Sequence, residues 1–173
     1  MVDQGSSIPA RRSLNWLLYI LAKQYIDSAN ILEAKIRETK NADPAPAIIM
    51  CLSFSIELIL KCLLIVDRDE IRTKEDMEAA GIDRRGHDYI DLFDRIAPHY
   101  QEIVLKHLSA RDPSIRDLES LRDFLKAAGS DPFVLWRYVY EHDAPPVFQL
   151  NAYKRFGGAL WDAINEIRGK KAR

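Results

Sequence analysis

Residues 46–66, PAIIMCLSFSIELILKCLLIV, decide the fold of this chain. Apolar side chains occupy every face of a helix built from this stretch, and only Glu57 and Lys61 carry charge. A helix that is apolar all round is buried on all sides. The stretch therefore predicts a central helix, around which the other helices of the domain pack.

The two charges in this helix are expected to pair. Glu57 and Lys61 are four residues apart, which puts both on one helix face with the glutamate first. Buried charges are costly unless they have partners. Arg137 and Glu141 show the same spacing on a second apolar segment, so we expect the two pairs to meet across the bundle, with His87 nearby. Contact between Glu57 and Arg137 is the specific prediction.

The rest of the chain also has helical patterns. Apolar side chains at helical spacing, with caps and breakers between them, predict seven further helical segments. These segments are about 13–38, a short helix after the Thr73–Asp76 capping box, a main helix from 86–88, 99–109, a helix opened by Asp112-Pro113, 131–142, and a last helix through 153–167. No segment alternates as a strand does.

The fold class is therefore all-α, an up-and-down bundle of about four to five main helices plus short ones. A chain of 173 residues suits one domain, 1–173. The ends, 1–12 and 169–173, are expected to be flexible. Gly157-Gly158 falls within the last predicted helix, where we expect it to permit close helix packing.

Bulk composition excludes several classes of function. The 25 basic and 26 acidic residues give a net charge of −1, so no whole-surface basic field attracts nucleic acid. Cys51 and Cys62 are about 16 Å apart along one helix and cannot form a disulfide within it. They are expected to be buried thiols in a reducing compartment. No stretch reaches the roughly 20 apolar residues of a membrane span, so a cytoplasmic protein is predicted.

One spacing could support chemistry. Arg137 and His142 are separated by four residues in the aromatic-rich 131–142 segment. Histidine transfers protons near neutral pH, and arginine stabilises the charge that develops on a phosphate. The four histidines lack metal-ligand spacing, so neither a metal nor another cofactor is expected.

Three segments together resemble the bacterial HEPN superfamily: 55–61 (SIELILK), 86–88 (GHD) and 136–142 (WRYVYEH). The resemblance covers roughly residues 14–165. It implies a helical domain of bacterial defence or toxin–antitoxin type, forming a homodimer. It also implies a metal-independent endoribonuclease, with Arg137 and His142 in a cleft and the 2′-hydroxyl of the RNA as nucleophile. A cognate antitoxin or other partner protein and RNA are the implied partners.

A second interpretation needs no catalysis. Several HEPN-like families have no assigned activity, since a fold does not determine a function. The chain would then be a binding or assembly module, and a partner protein or a nucleotide would be its target. A polar network would hold its fold together, formed by Glu57, Lys61, His87, Asp88, Arg137 and Glu141.

Overall fold

A computed structural model describes residues 13–41, 44–82, 88–128 and 149–171. These ranges contain seven helices and no strand, which confirms the predicted all-α class. The helices are α1 (Leu14–Thr39), α2 (Ala45–Leu64), α3 (Lys74–Ala79), α4 (Tyr89–Asp94), α5 (Pro98–Ser109), α6 (Leu118–Ala128) and α7 (Leu150–Lys171).

The first helix matches its predicted range of 13–38 to within a residue. Ser13 caps its start, where the hydroxyl accepts a hydrogen bond from the backbone N–H of Trp16 at 3.3 Å. Its end is closed by Lys40 in the left-handed region, with φ of 55° and its N–H bonded to the carbonyl of Ile36. The helix packs along the length of α2.

The second helix is the core of the bundle, as predicted. Thirteen of its 20 residues are buried, and α1, α4 and α7 all pack against it. By length and composition it is apolar enough to cross a membrane, contrary to the prediction from the sequence. Because most of it is enclosed by other helices, its arrangement is that of a core helix in a soluble protein.

The region after α2 follows its local signals closely. Thr73 and Asp76 form the predicted capping box: the Thr73 hydroxyl accepts from the Asp76 N–H, and the Asp76 carboxylate accepts from the Thr73 N–H. Gly81 follows α3 with φ of 70°, a conformation that favours glycine. This short helix, Lys74–Ala79, begins at the predicted capping box.

The helix expected from residues 86–88 is a short one, although it was predicted as a main helix. Asp88 caps α4 by accepting hydrogen bonds from the N–H groups of Ile90 and Asp91, at 2.8 and 3.0 Å. The helix then ends at Asp94 after six residues. Pro98 explains the break, because the residue before a proline is driven into extended conformations, and Ala97 has ψ of 136°. Pro98 itself opens α5.

The predicted start of the next helix at Asp112-Pro113 is wrong. The Asp112 carboxylate accepts from both the N–H and the hydroxyl of Ser114, and so forms a local turn. The helix begins at Leu118, where Asp117 accepts from the Ser120 N–H at 2.7 Å and the Ser120 hydroxyl accepts from the Asp117 N–H. The reciprocal cap lies five residues later than the proline signal.

The last helix packs against α5 and α2. It continues through Lys171, so its final turn includes residues that the sequence placed in a flexible tail. The Arg168 guanidinium donates to Asn15 Oδ1 at 2.7 Å, and the Lys171 ammonium donates to the carbonyl of Val66 at 2.6 Å. Both contacts tie the end of α7 to distant parts of the chain.

Candidate functional site

The predicted ion pair within α2 is present. Lys61 Nζ lies 2.9 Å from Glu57 Oε1, and the two side chains are 10% and 2% exposed. Four-residue spacing puts both groups on one face, and the burial of α2 then removes that face from water. This pair is part of the protein core, so a dissolved substrate does not have direct access to it.

Tyr89 of α4 contacts the same part of α2. The Tyr89 hydroxyl donates to the carbonyl of Ser53 at 2.7 Å, and the Tyr89 ring packs edge-on against Tyr153 of α7. Asp88 starts the helix that carries this tyrosine. The residue after the Gly-His-Asp segment thus links α2, α4 and α7, a role that the sequence analysis did not assign to it.

Four residues of the predicted site lie outside the described part of the chain. They are His87, Arg137, Glu141 and His142. The contact between Glu57 and Arg137, and a cleft shared by Arg137 and His142, therefore stay predictions. Of the predicted polar network, the structure brings together Glu57 and Lys61, and it gives Asp88 a capping role on α4.

The structure also contains a cavity that the sequence analysis missed. It lies between α1, α2 and α7 and has a volume of about 240 Å³. Its lining is mainly apolar, and it has Lys154 and Glu33 among its polar groups. The one signal for it in the sequence was the Gly157-Gly158 pair, which lines the cavity and was assigned instead to helix packing.

Charge at this cavity is organised around Glu33. Lys154 Nζ lies 2.6 Å from Glu33 Oε1, and Arg37 lies 3.6 Å from the same oxygen. The hydrogen bond from Lys154 lowers the pKa of the Glu33 carboxyl below its ordinary value, which keeps it ionised. Two cations thus surround one carboxylate, and this group of three carries a net positive charge.

A stack of aromatic rings borders the cavity. Trp161 lines it and stacks on Tyr19 with ring centroids 5.0 Å apart and planes 15° apart. The guanidinium of Arg168 lies over the Tyr19 ring at 4.4 Å and over the Trp16 ring at 5.2 Å. These contacts hold the Trp161 ring in one orientation before any ligand arrives.

A larger groove of about 1080 Å³ lies beside the turn after α2. Its lining is strongly charged, but the charges are engaged locally. The Asp76 carboxylate accepts from the N–H groups of Arg72 and Thr73, and the Arg72 guanidinium donates to the carbonyl of Asp69. These groups serve the turn and the cap of α3, so we assign the groove no ligand.

Within the described residues, no group of three or more histidine, cysteine, aspartate or glutamate side chains is placed to hold a metal ion. A charged cluster joins α5 to α7. Glu166 accepts hydrogen bonds from Lys106 and Lys170, and lies 2.9 Å from His107. Lys106 and His107 belong to α5 and Glu166 belongs to α7, so this cluster fastens two helices together.

Comparisons of the chain with family models, with curated proteins and with solved structures gave no match. The HEPN resemblance therefore depends on the residues of the three segments alone.

Proposed function

We propose that this chain is a HEPN-like helical domain that acts as a binding or assembly module. The observation that supports this proposal is the burial of the Glu57–Lys61 pair, with side chains 2% and 10% exposed. Charged groups that act on a substrate must reach it. Charges enclosed by packed helices instead select one arrangement of those helices, since any other arrangement leaves a buried charge unpaired.

The surroundings of the pair fit this structural role. The helix that carries it is covered by three others, and the Tyr89 hydroxyl from α4 bonds to the backbone of the same helix at Ser53. Polar contacts of this kind set the register in which α4 meets α2. The residues that resemble the HEPN motif at 55–61 then maintain the scaffold, and binding takes place elsewhere on it.

The cavity between α1, α2 and α7 supports the binding part of the proposal. It combines apolar walls with a small number of polar groups, which is the usual composition of a small-molecule site.

The second candidate function is a metal-independent endoribonuclease. It is favoured by the spacing of Arg137 and His142, late in a chain whose described part is all helical. In this scheme His142 moves a proton and Arg137 stabilises the charged phosphate, while the substrate RNA supplies the attacking hydroxyl. Defence or toxin–antitoxin biology, with a cognate antitoxin as partner, belongs to this candidate.

An RNA-cleavage assay distinguishes the two candidates. Wild-type protein, Arg137→Ala and His142→Ala would be incubated with several single-stranded RNAs in excess EDTA. His99→Ala is a matched control, because His99 has a side chain 64% exposed and lies outside the motif. The module proposal expects no cleavage by any of the four proteins. Cleavage by wild type and His99→Ala that is lost in His142→Ala would overturn it and establish the ribonuclease.

We also propose that the protein is cytoplasmic, because its long apolar helix, α2, is mostly buried within the bundle, and that it forms a homodimer, as the HEPN resemblance implies. Sedimentation equilibrium of the purified chain at micromolar concentration is expected to give twice the monomer mass of 19.9 kDa. A single species at 19.9 kDa across this range would contradict the dimer and would leave the binding-module proposal intact.

A further inference from the structure

The two glycines in the middle of α7 are not required by helix packing. A Cβ atom built on Gly157 would meet the Ile56 side chain at 3.5 Å, which is an ordinary van der Waals contact. A Cβ on Gly158 would lie 3.0 Å from the Arg111 guanidinium, the far end of a flexible side chain. Glycine is unfavourable in a helix interior relative to alanine. Both glycines line the cavity between α1, α2 and α7, where they present backbone without a side chain.

The size of the cavity suits a small ring system. An apolar cavity of about 150 Å³ is large enough to bind benzene. The space between α1, α2 and α7 is about 240 Å³, so it has room for a larger ring or for a ring with a substituent. Ile48 and Leu52 of α2 supply aliphatic wall, and Gly157 supplies backbone that a flat molecule can approach closely.

One wall of the cavity is a tryptophan whose ring is already oriented. The stack of Trp161 on Tyr19, with Arg168 over Tyr19, holds the indole without any ligand present. Aromatic side chains held in this way favour aromatic ligands, because offset or edge-on ring contacts add to the gain from burial. The apolar walls of the cavity and the oriented Trp161 ring therefore favour a ligand with a flat aromatic ring.

The charges at the cavity favour an anion. Glu33 lies against two cations, Lys154 at 2.6 Å and Arg37 at 3.6 Å. An incoming carboxylate could take Lys154 as its partner while Glu33 keeps Arg37. Asn30 also lines the cavity, and its amide makes no hydrogen bond within the part of the chain that the structure describes. An incoming cation would have Glu33 as its partner, and that carboxylate is already paired with Lys154 and Arg37.

We propose that this cavity binds a small aromatic carboxylate, with its ring packed beside Trp161 over Gly157 and its carboxylate on Lys154 Nζ. The inference rests on the proposed function, a binding module, and names the ligand class of its site. Lys154 supplies a charge-assisted hydrogen bond to the acid, and the apolar walls exclude water from the ring.

Isothermal titration calorimetry with indole-3-carboxylate tests the proposal. We expect saturable binding to the full chain, with one ligand per chain and a dissociation constant of roughly 10 µM to 1 mM for a molecule of this size. Indole-3-carboxamide, which has the same shape without the charge, should bind at least about tenfold more weakly. Absence of binding by the acid at millimolar concentration would overturn the proposal.

Variants locate the site. Lys154→Met should weaken the acid at least about tenfold and leave the carboxamide unchanged. Lys23→Met is the matched control, because Lys23 also forms a 2.6 Å ion pair but does not line the cavity. Gly157→Leu should abolish binding of both compounds by filling the space. Gly157→Ala is the milder variant, since its Cβ meets only an ordinary contact, and it should weaken both compounds while keeping the circular dichroism of wild type.

Three other results would overturn the proposal. They are equal weakening by Lys154→Met and Lys23→Met, equal binding of acid and carboxamide to wild type, and binding of adenosine monophosphate with no binding of the acid. The RNA-cleavage assay is independent of these titrations. Cleavage that requires His142 would overturn the module proposal whatever the titrations show, and failure of the titrations alone would leave that proposal standing.

Discussion

At the scale of single residues, the molecule places its charges in two very different settings. Glu57 and Lys61 are enclosed in the core, whereas Glu166 is partly exposed and accepts hydrogen bonds from Lys106 and Lys170. Removing one partner of a buried pair is destabilising, because the remaining charge stays in the core, which solvates charge poorly. Exposed pairs are screened by water and contribute little each. The two settings lead to different predictions.

Glu57→Gln should destabilise the protein strongly, by about 3–5 kcal/mol, because Lys61 then stays buried without its carboxylate. Urea unfolding followed by circular dichroism measures this change. Lys23→Met, which breaks the exposed pair with Asp27, should change the free energy of unfolding by less than about 1 kcal/mol. Similar stability of Glu57→Gln and Lys23→Met would mean that the core pair has no structural role.

Glu166 should make stability depend on pH under acidic conditions. Hydrogen bonds from Lys106 and Lys170, with His107 beside them, lower its pKa from 4.5 to about 2. A folded-state pKa below the unfolded value stabilises the protein above pH 4.5, and that contribution is lost as pH falls toward 2. The midpoint of urea unfolding should therefore depend less on pH between pH 5 and 2 in Glu166→Gln than in wild type.

The size of this effect should be small, under about 1 kcal/mol, because these groups reach solvent. Glu102→Gln serves as the control, since Glu102 is exposed on α5 and makes no ion pair within the described part of the chain. The idea fails if the midpoints of Glu166→Gln and wild type fall in parallel across this pH range.

At the scale of helices, starts and ends follow short-range side-chain chemistry. Ser13, Thr73, Asp88 and Asp117 each accept a hydrogen bond from the first turn that follows them. Each cap satisfies backbone groups that have no partner within the helix. Helix α7 is unusual in its interior, where it contains Gly157 and Gly158. The space around Gly157 would accept an alanine Cβ.

Gly157→Ala should therefore stabilise the protein, by up to about 1 kcal/mol, because alanine favours the helix and its Cβ meets only ordinary contacts. Thermal unfolding of the variant measures the change. Gly158→Ala is the natural comparison and should gain less, since Arg111 has to move. Marked destabilisation by Gly157→Ala would restore the packing role that the sequence suggested.

At the scale of the whole molecule, one enclosed helix organises the others. The first helix lies along α2, while α4 and α7 cover it elsewhere, and α5 packs on the outer side of α7. The side chains of α2 therefore leave water only when these helices come together. Backbone hydrogen bonds in such an element open only when most of the molecule unfolds.

Hydrogen–deuterium exchange should therefore find the slowest amides in α2. Peptides covering residues 48–63 are expected to exchange at the rate of global unfolding, while those covering α3, which is short and mostly exposed, should exchange far sooner. Mass spectrometry of quenched, digested samples resolves these segments. Equal exchange in α2 and α3 would contradict the central position of α2.

The sequence by itself determined the features that depend on neighbours a few residues away. Apolar residues on every face predicted the burial of α2, four-residue spacing predicted the Glu57–Lys61 pair, and Thr73 with Asp76 predicted a capping box. Helical geometry relates such residues whatever the rest of the chain does. The same rules misplaced the start of α6, because the Asp112 carboxylate accepts hydrogen bonds from Ser114 in a local turn and does not cap a helix.

Tertiary structure alone decided what lies between helices. Asn15 and Arg168 are 153 positions apart and meet at 2.7 Å, and the ring of Tyr19 stacks on Trp161. The cavity lies where α1, α2 and α7 come together beside Gly157. Local periodicity tells which face of a helix is apolar but does not tell which helix will cover that face. Contacts between distant segments depend on the packing of the whole chain, and the candidate site is built from such contacts.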